Sequence, residues 1–308
     1  MEGFDVSLQR KFSTFNELLT GELYLKYIID EKIVCFSTNA AKGAIVMDDF
    51  NLSPHYFEFL LSQNNEEPNR FFIPITMHPI FYHRNTWNAP IEHSKRKHSI
   101  FMAGNFNDEL YGNSNEKHFN VLSRTTLYKI LLQKGALTAI DSMDDLNRIL
   151  DQEANHQCII VNAEICRIPI NALRSYLNRF SFFMACPGVA MPYCHNIVEA
   201  MSVGCIPLIQ KEYALMMHPP LTHKVNAILF SSSEDIIETI QEIYSMNEAA
   251  IEVMSNHVKA YYNNHLTPTA VVNKIINSTN STFYLLAEQT SVGLLDKARK
   301  ATEIKSSV

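Results

Sequence analysis

The run from Phe182 to Ile209, FFMACPGVAMPYCHNIVEAMSVGCIPLI, divides into an apolar segment, a Pro/Gly loop, a short amphipathic stretch, a glycine turn and a second apolar segment. That succession predicts strand, loop, helix, turn and strand. Phe182 to Ala185 reads as a buried strand, and Cys186, Pro187 and Gly188 end it at the carboxyl edge of a parallel sheet, where ligands of open α/β sheets sit. His195 and Asn196 open the following helix, and its first-turn N–H groups and positive dipole end suit an anion. Glu199 lies one turn in, the one acidic residue among apolar and small ones, and could accept hydrogen bonds from ligand hydroxyls. Gly204 closes the helix before the next strand, Cys205 to Ile209.

The rest of the chain is compatible with that unit. With 308 residues there is length for two cores, and 46% hydrophobic with 19% charged residues is an ordinary globular balance. A net charge of -6 argues against a general nucleic-acid binder. The apolar runs are short, and Met1 to Thr20 carries Glu2, Asp5, Arg10 and Lys11, so neither a membrane span nor a secretory leader is expected, and the location expected is cytoplasmic. The six cysteines lack the paired spacing of a zinc site and read as free buried thiols.

In the first third, a helix is expected near residues 15–27, strands at 32–36 and 44–47, a helix at 54–62 and a strand at 71–76. Periodicity then stops, and residues 93–98, His-Ser-Lys-Arg-Lys-His, read as a solvated linker. The alternative is a basic patch for an anionic membrane face or a phosphorylated ligand. Beyond Ser99, strands at 100–103, 137–140, 158–161, 182–185, 206–209 and 227–230 alternate with helices at 122–133, 143–151, 171–178, 196–203 and 234–245, the pattern of a doubly wound parallel sheet. Ser142 is the expected N-cap of the 143–151 helix, Ser231 with Glu234 a capping box for the 234–245 helix, and Thr267 with Pro268 the start of a helix at 269–277. A further helix follows at 248–263, and the tail from Thr282 has helical apolar spacing.

The segment His195 to Pro207, with Glu-Ala followed by Gly-x-Ile-Pro, resembles the donor-binding segment of GT-B glycosyltransferases, in the version of the exostosin family. Lys97 to Asn105, followed by Arg124, looks like the first strand and glycine turn of such a C-terminal domain, and Phe72 to Pro79 is similar to the last N-terminal strand. The resemblance implies two Rossmann-like domains facing a cleft: a reduced acceptor-side domain over 1–92, the linker 93–98, a nucleotide-sugar-binding domain over 99–280, and a C-terminal helix and tail over 281–308 packing back. It implies sugar transfer from a nucleotide-sugar donor to a hydroxyl of a glycan, lipooligosaccharide or glycoprotein, with docking at the inner membrane face as a further expectation. Retaining members of the sucrose-synthase-like group carry a second glutamate eight positions before the ribose-binding one. Met191 stands there in this chain, which points to inversion.

On that reading Glu199 holds the ribose, while Gly104, Asn105, Arg124, Pro187, Gly188, His195 and Asn196 surround the diphosphate, whose charge must be stabilised as it departs. An inverting transferase also needs a general base. Asp48 and Asp49 follow the 44–47 strand and are the first choice, with His78 and His55 as competitors. No Asp-x-Asp motif follows a strand, so no metal and no cofactor is expected. A nucleotide-sugar epimerase of related fold and a non-catalytic nucleotide-binding module are the alternatives.

Overall fold

A computed structural model of the chain describes residues 51–53, 55–61, 70–92, 94–112, 114–153, 155–278 and 282–306. The chain divides into two compact units, Met1–Asn51 and Leu52–Val308, and the description that follows is of the second. The elements expected at 15–27, 32–36 and 44–47 lie outside the described residues, as do Asp48 and Asp49.

The second unit is built on a parallel sheet. Its strands are β3 (Lys97–Gly104), β4 (Leu137–Ala139), β5 (Cys158–Asn162), β6 (Phe180–Met184), β7 (Ile206–Gln210) and β8 (Ile228–Phe230), in the order β4-β5-β3-β6-β7-β8. Every neighbouring pair is parallel. The inner strands are largely apolar, and all residues of β6 and β7 are buried, which requires cover on both faces of the sheet. Phe101 and Phe180 stack across the sheet with ring centroids 4.5 Å apart. The alternation of strand and helix expected from the sequence is therefore present. One detail departs from the usual Rossmann order: the second strand, β4, lies at the edge outside the third, β5, instead of between β5 and β3.

The chain leaves β3 toward the β4 edge and leaves β6 toward the β8 edge, so the order reverses between β3 and β6. A crevice opens outside the carboxyl ends of strands at such a reversal. A smaller sheet, of order β1-β9-β2, combines β1 (Asn51–Ser53), β2 (Arg70–Phe72) and β9 (Thr282–Tyr284). β2 and β9 are parallel, with Phe71 opposite Phe283. The tail thus enters a strand before its helix, which the helical spacing did not anticipate.

Eleven α-helices lie in the described residues. Those used below are α1 (Pro79–His83), α2 (Ser114–Phe119), α3 (Arg124–Gln133), α4 (Met143–Asp151), α5 (Ile170–Leu177), α6 (His195–Ser202), α7 (Lys211–Met216), α8 (Ile236–Ser245), α9 (Glu248–Tyr261), α10 (Pro268–Asn277) and α11 (Glu288–Ser306). Local signals fix many of their ends. Ser142 Oγ accepts from Asp145 N at the start of α4, and Thr267 Oγ1 accepts from Ala270 N with Pro268 in the first position of α10. The expected Ser231/Glu234 capping box is absent. Asp235 is the N-cap of α8, and its carboxylate instead accepts from the backbone N–H groups of Ser231 and Ser232, so an aspartate competes successfully with serine for the turn.

The end of α6 is a Schellman turn: Gly204 N donates to Met201 O at 2.9 Å and Cys205 N to Ala200 O at 3.0 Å. Gly204 has φ +75°. The carbonyls freed at that helix end are taken by Arg96, whose Nη1 donates to Gly204 O at 2.7 Å and whose Nη2 reaches Val203 O and Asn178 Oδ1. A cation at a helix C-terminus also meets the negative end of the dipole. The run expected as a solvated linker is thus partly structural, because Arg96 caps α6 and Lys97 and His98 already belong to β3. Arg174, on α5, fastens the preceding segment by donating to Thr86 O at 2.8 Å and Ala89 O at 3.2 Å. The five described cysteines are free and buried. Among the described residues no helix is long and apolar enough to cross a membrane.

Candidate functional site

Two loops and two helix starts meet where β3 and β6 end. The loop after β3 begins at Asn105, the loop after β6 runs from Ala185 to Cys194, and α3 and α6 begin at Arg124 and His195. Arg124 connects them. Its Nε donates to Pro187 O at 3.1 Å, Nη1 to Asn105 O at 3.0 Å and Nη2 to Cys194 Sγ at 3.2 Å, while the guanidinium lies 4.1 Å from the centroid of the Tyr111 ring. The residue is 2% exposed, and among the described residues no carboxylate pairs with it. A buried cation held by carbonyls, a thiol and an aromatic face is desolvated without charge compensation. An anion at this edge would supply it.

The glycines beside Arg124 are there for space. A Cβ on Gly104 would stand 3.1 Å from Arg124 Nη1 and 2.9 Å from Met102 Cε, and one on Gly188 would meet the carbonyl oxygens of Tyr193 at 2.5 Å and Met191 at 3.0 Å. Gly188 N bonds Pro192 O at 3.1 Å, folding the loop back on itself, and Asn115 Nδ2 holds Gly188 O at 2.7 Å. Asn196 Nδ2 donates to Ala103 O at 3.1 Å and so ties the start of α6 to β3. Cys194, the N-cap of α6, makes no side-chain cap, which leaves the amides of the first turn without the usual side-chain acceptor.

One turn along α6, Glu199 has no exposed surface. Its Oε1 accepts from His195 Nδ1 at 2.8 Å and from the backbone N–H of His78 at 3.1 Å. Its Oε2 is buried with no hydrogen-bond partner, an acceptor without a donor where nearly all such groups have one. The His195 side chain is 42% exposed. Burial works against its charge, but the Glu199 carboxylate outweighs that and holds the imidazole up at about 9, so it is a cation at neutral pH. His78 is the reverse case: burial and the neighbouring His195 cation lower it, against a smaller opposing pull from Glu199. Its Nδ1 accepts from Ile80 N at 3.3 Å as the N-cap of α1. The two imidazoles meet edge to face, centroids 5.2 Å apart.

Of the residues selected from sequence, Gly104, Asn105, Arg124, Pro187, Gly188 and Asn196 form one cluster, and His195, Glu199 and His78 form a second at the start of α6. His55 is exposed. Two contributors were not selected. Tyr111 faces the Arg124 guanidinium and Asn115 sets the Gly188 loop; neither carries a local motif, because each acts through a contact distant in sequence. His78, selected for its side chain, reaches Glu199 through its backbone N–H. Asp145, beside Asp144, is occupied with the Ser142 cap and with Arg148. Comparison with protein-family models, with curated proteins and with solved structures gives no match for this chain.

Proposed function

We propose that this chain is a metal-independent, inverting glycosyltransferase of the two-domain GT-B kind, moving a sugar from a nucleotide-sugar donor to a hydroxyl of a glycan, lipooligosaccharide or glycoprotein. The observation that carries the reading is Arg124: a buried guanidinium with no described carboxylate partner, at the reversal of strand order, beside the uncapped start of α6. Departure of a nucleoside diphosphate places negative charge there. The α6 amides, the His195 cation and Arg124 are the groups that would stabilise it, each charge-assisted contact contributing roughly 1.5–3 kcal/mol.

Glu199 supplies the ribose contact through Oε2, the acceptor that lacks a donor. Because Glu199 is fully buried here, a donor reaches it only if the His78 segment withdraws, a closure-type movement common in transferases. His78 commits its one neutral lone pair to the α1 cap, so the general base is assigned to Asp48 or Asp49. Nucleic acid is not a partner on this reading, and a lipid-linked acceptor would bring the chain to the inner membrane face.

The test is a thermal-shift screen with UDP, GDP, CMP and their sugar conjugates, followed by a transfer assay with the stabilising donor. A nucleotide at a hundred times its Kd stabilises the native state by about 2.7 kcal/mol. Stabilisation by one nucleotide, lost in Arg124→Lys, with sugar appearing on an acceptor, supports the reading. No nucleotide response, or an altered free sugar without transfer, overturns it, the latter in favour of the epimerase.

A further inference from the structure

A cavity of about 550 Å³ lies between α11 and the loops that follow β3 and β6, within the range of small-molecule sites. None of Arg124, His195, Asn196 and Glu199 lines it, although it is built on the same two loops: Leu110 and Gly112 flank Tyr111, and Val189 follows Gly188. Glu109 comes from the β3 loop, Val189 and Ala190 from the β6 loop, and Gln289 and Asp296 from α11. His118 also lines it and faces Asp296 at 2.8 Å. Arg299 Nη1 donates to His118 O at 2.7 Å, so two residues of α11, one turn apart, tie the helix to His118.

Gly293 lines this space. It sits inside α11, where glycine is less favourable than alanine, yet a Cβ built on it would meet no atom within 4 Å. Packing therefore does not demand glycine there, and only a larger side chain would reach across the open volume beside it.

The chemistry of the walls selects a class of ligand. Two carboxylates and an amide offer acceptors to hydroxyl donors, Leu110 and Val292 add apolar surface, and no lysine or arginine lines the space. Its basic group, His118, is paired with Asp296. Such walls suit neutral hydroxyl-rich rings and repel phosphates. We infer that the cavity beside α11 is a binding site for an uncharged saccharide, next to the donor crevice and lined by other residues.

The experiment is saturation-transfer NMR on the full chain with glucose, galactose, mannose and N-acetylglucosamine, each beside its 6-phosphate. At least one neutral sugar is expected to bind the wild type and Gly293→Ala alike, to bind Gly293→Phe at least tenfold more weakly, and to be favoured at least tenfold over its phosphate. Leu110→Trp adds bulk at a second lining residue, one that is 54% exposed, and it decides the matter if Gly293→Phe fails to fold. Absence of binding by all four sugars, unchanged binding in the folded filling variants, or preference for the phosphates overturns the inference. Any nucleotide-induced thermal shift should persist in Gly293→Ala and Leu110→Trp, which separates failure here from failure of the transferase reading.

Discussion

The backbone N–H of His78 donates to Glu199 Oε1 at 3.1 Å, joining residues 121 positions apart. The same oxygen accepts from His195, so one fully buried carboxylate organises the start of α6 and the segment leading into α1. Its second oxygen has no described partner.

The Glu199–His195 pair gives a pH dependence of definite sign. In the folded chain His195 is held up at about 9, against an ordinary value of 6.5, because the Glu199 carboxylate outweighs burial. Its stabilisation is therefore complete below about pH 6.5 and fades as the pH rises through about 9. Solvent screening at a side chain 42% exposed reduces it to about 1 kcal/mol. Urea unfolding at pH 6 and pH 10 is expected to show that loss, and Glu199→Gln to remove it while NMR titration moves His195 downward from about 9.

Replacing Arg124 by lysine is not conservative. Lysine cannot reach Pro187 O, Asn105 O and Cys194 Sγ together or lie flat on Tyr111. A loss of about 2–3 kcal/mol is expected, read as a fall in Tm of roughly 5–10 °C. An unchanged Tm would mean that the loops after β3 and β6 do not depend on this residue.

Gly204 and Gly293 should respond to alanine in opposite directions. At Gly204 the left-handed φ of +75° and a Cβ 2.5 Å from Lys259 Cε and 2.8 Å from Ser255 Oγ predict destabilisation, by about 1–2 kcal/mol or more. At Gly293 alanine meets nothing, and helix propensity alone predicts a gain of about 0.5–1 kcal/mol. Denaturant midpoints of the two variants, compared with wild type, check both.

Arg96→Met should loosen the same helix end as Gly204→Ala. It removes the donors to Gly204 O and Val203 O, at a cost of about 2 kcal/mol. Because both changes act on one turn, the double variant is expected to lose less than the sum. Strict additivity in a double-mutant cycle would show that Arg96 and Gly204 act separately.

Much of the fold was legible locally. The apolar runs at 158–161, 182–185 and 206–209 predicted three central strands, and Ser142 and Thr267 marked helix starts correctly, because a cap needs a hydroxyl only three residues from its amide. Legibility failed where competitors were equally local or the partner was remote. Asp235 displaced Ser231 at α8, the six-residue helix α7 is too short to show a period, and β9 is a strand only because β1 and β2 flank it. The residues around the crevice were legible as a group, from the glycine and proline punctuation after each strand; what holds Arg124 and Glu199 was not.

The sequence by itself determined the alternation of strands and helices, the glycine turn after α6 and the placing of polar residues at strand ends, since these follow from hydrogen bonds and side-chain periods spanning a few residues. The tertiary structure alone decided that β3 lies beside β6, that β4 lies outside β5, that Arg96 caps a helix and that His78 reaches Glu199. Those choices depend on which apolar faces are buried together and which buried polar atoms then find a partner, and both are settled between segments tens to more than a hundred residues apart.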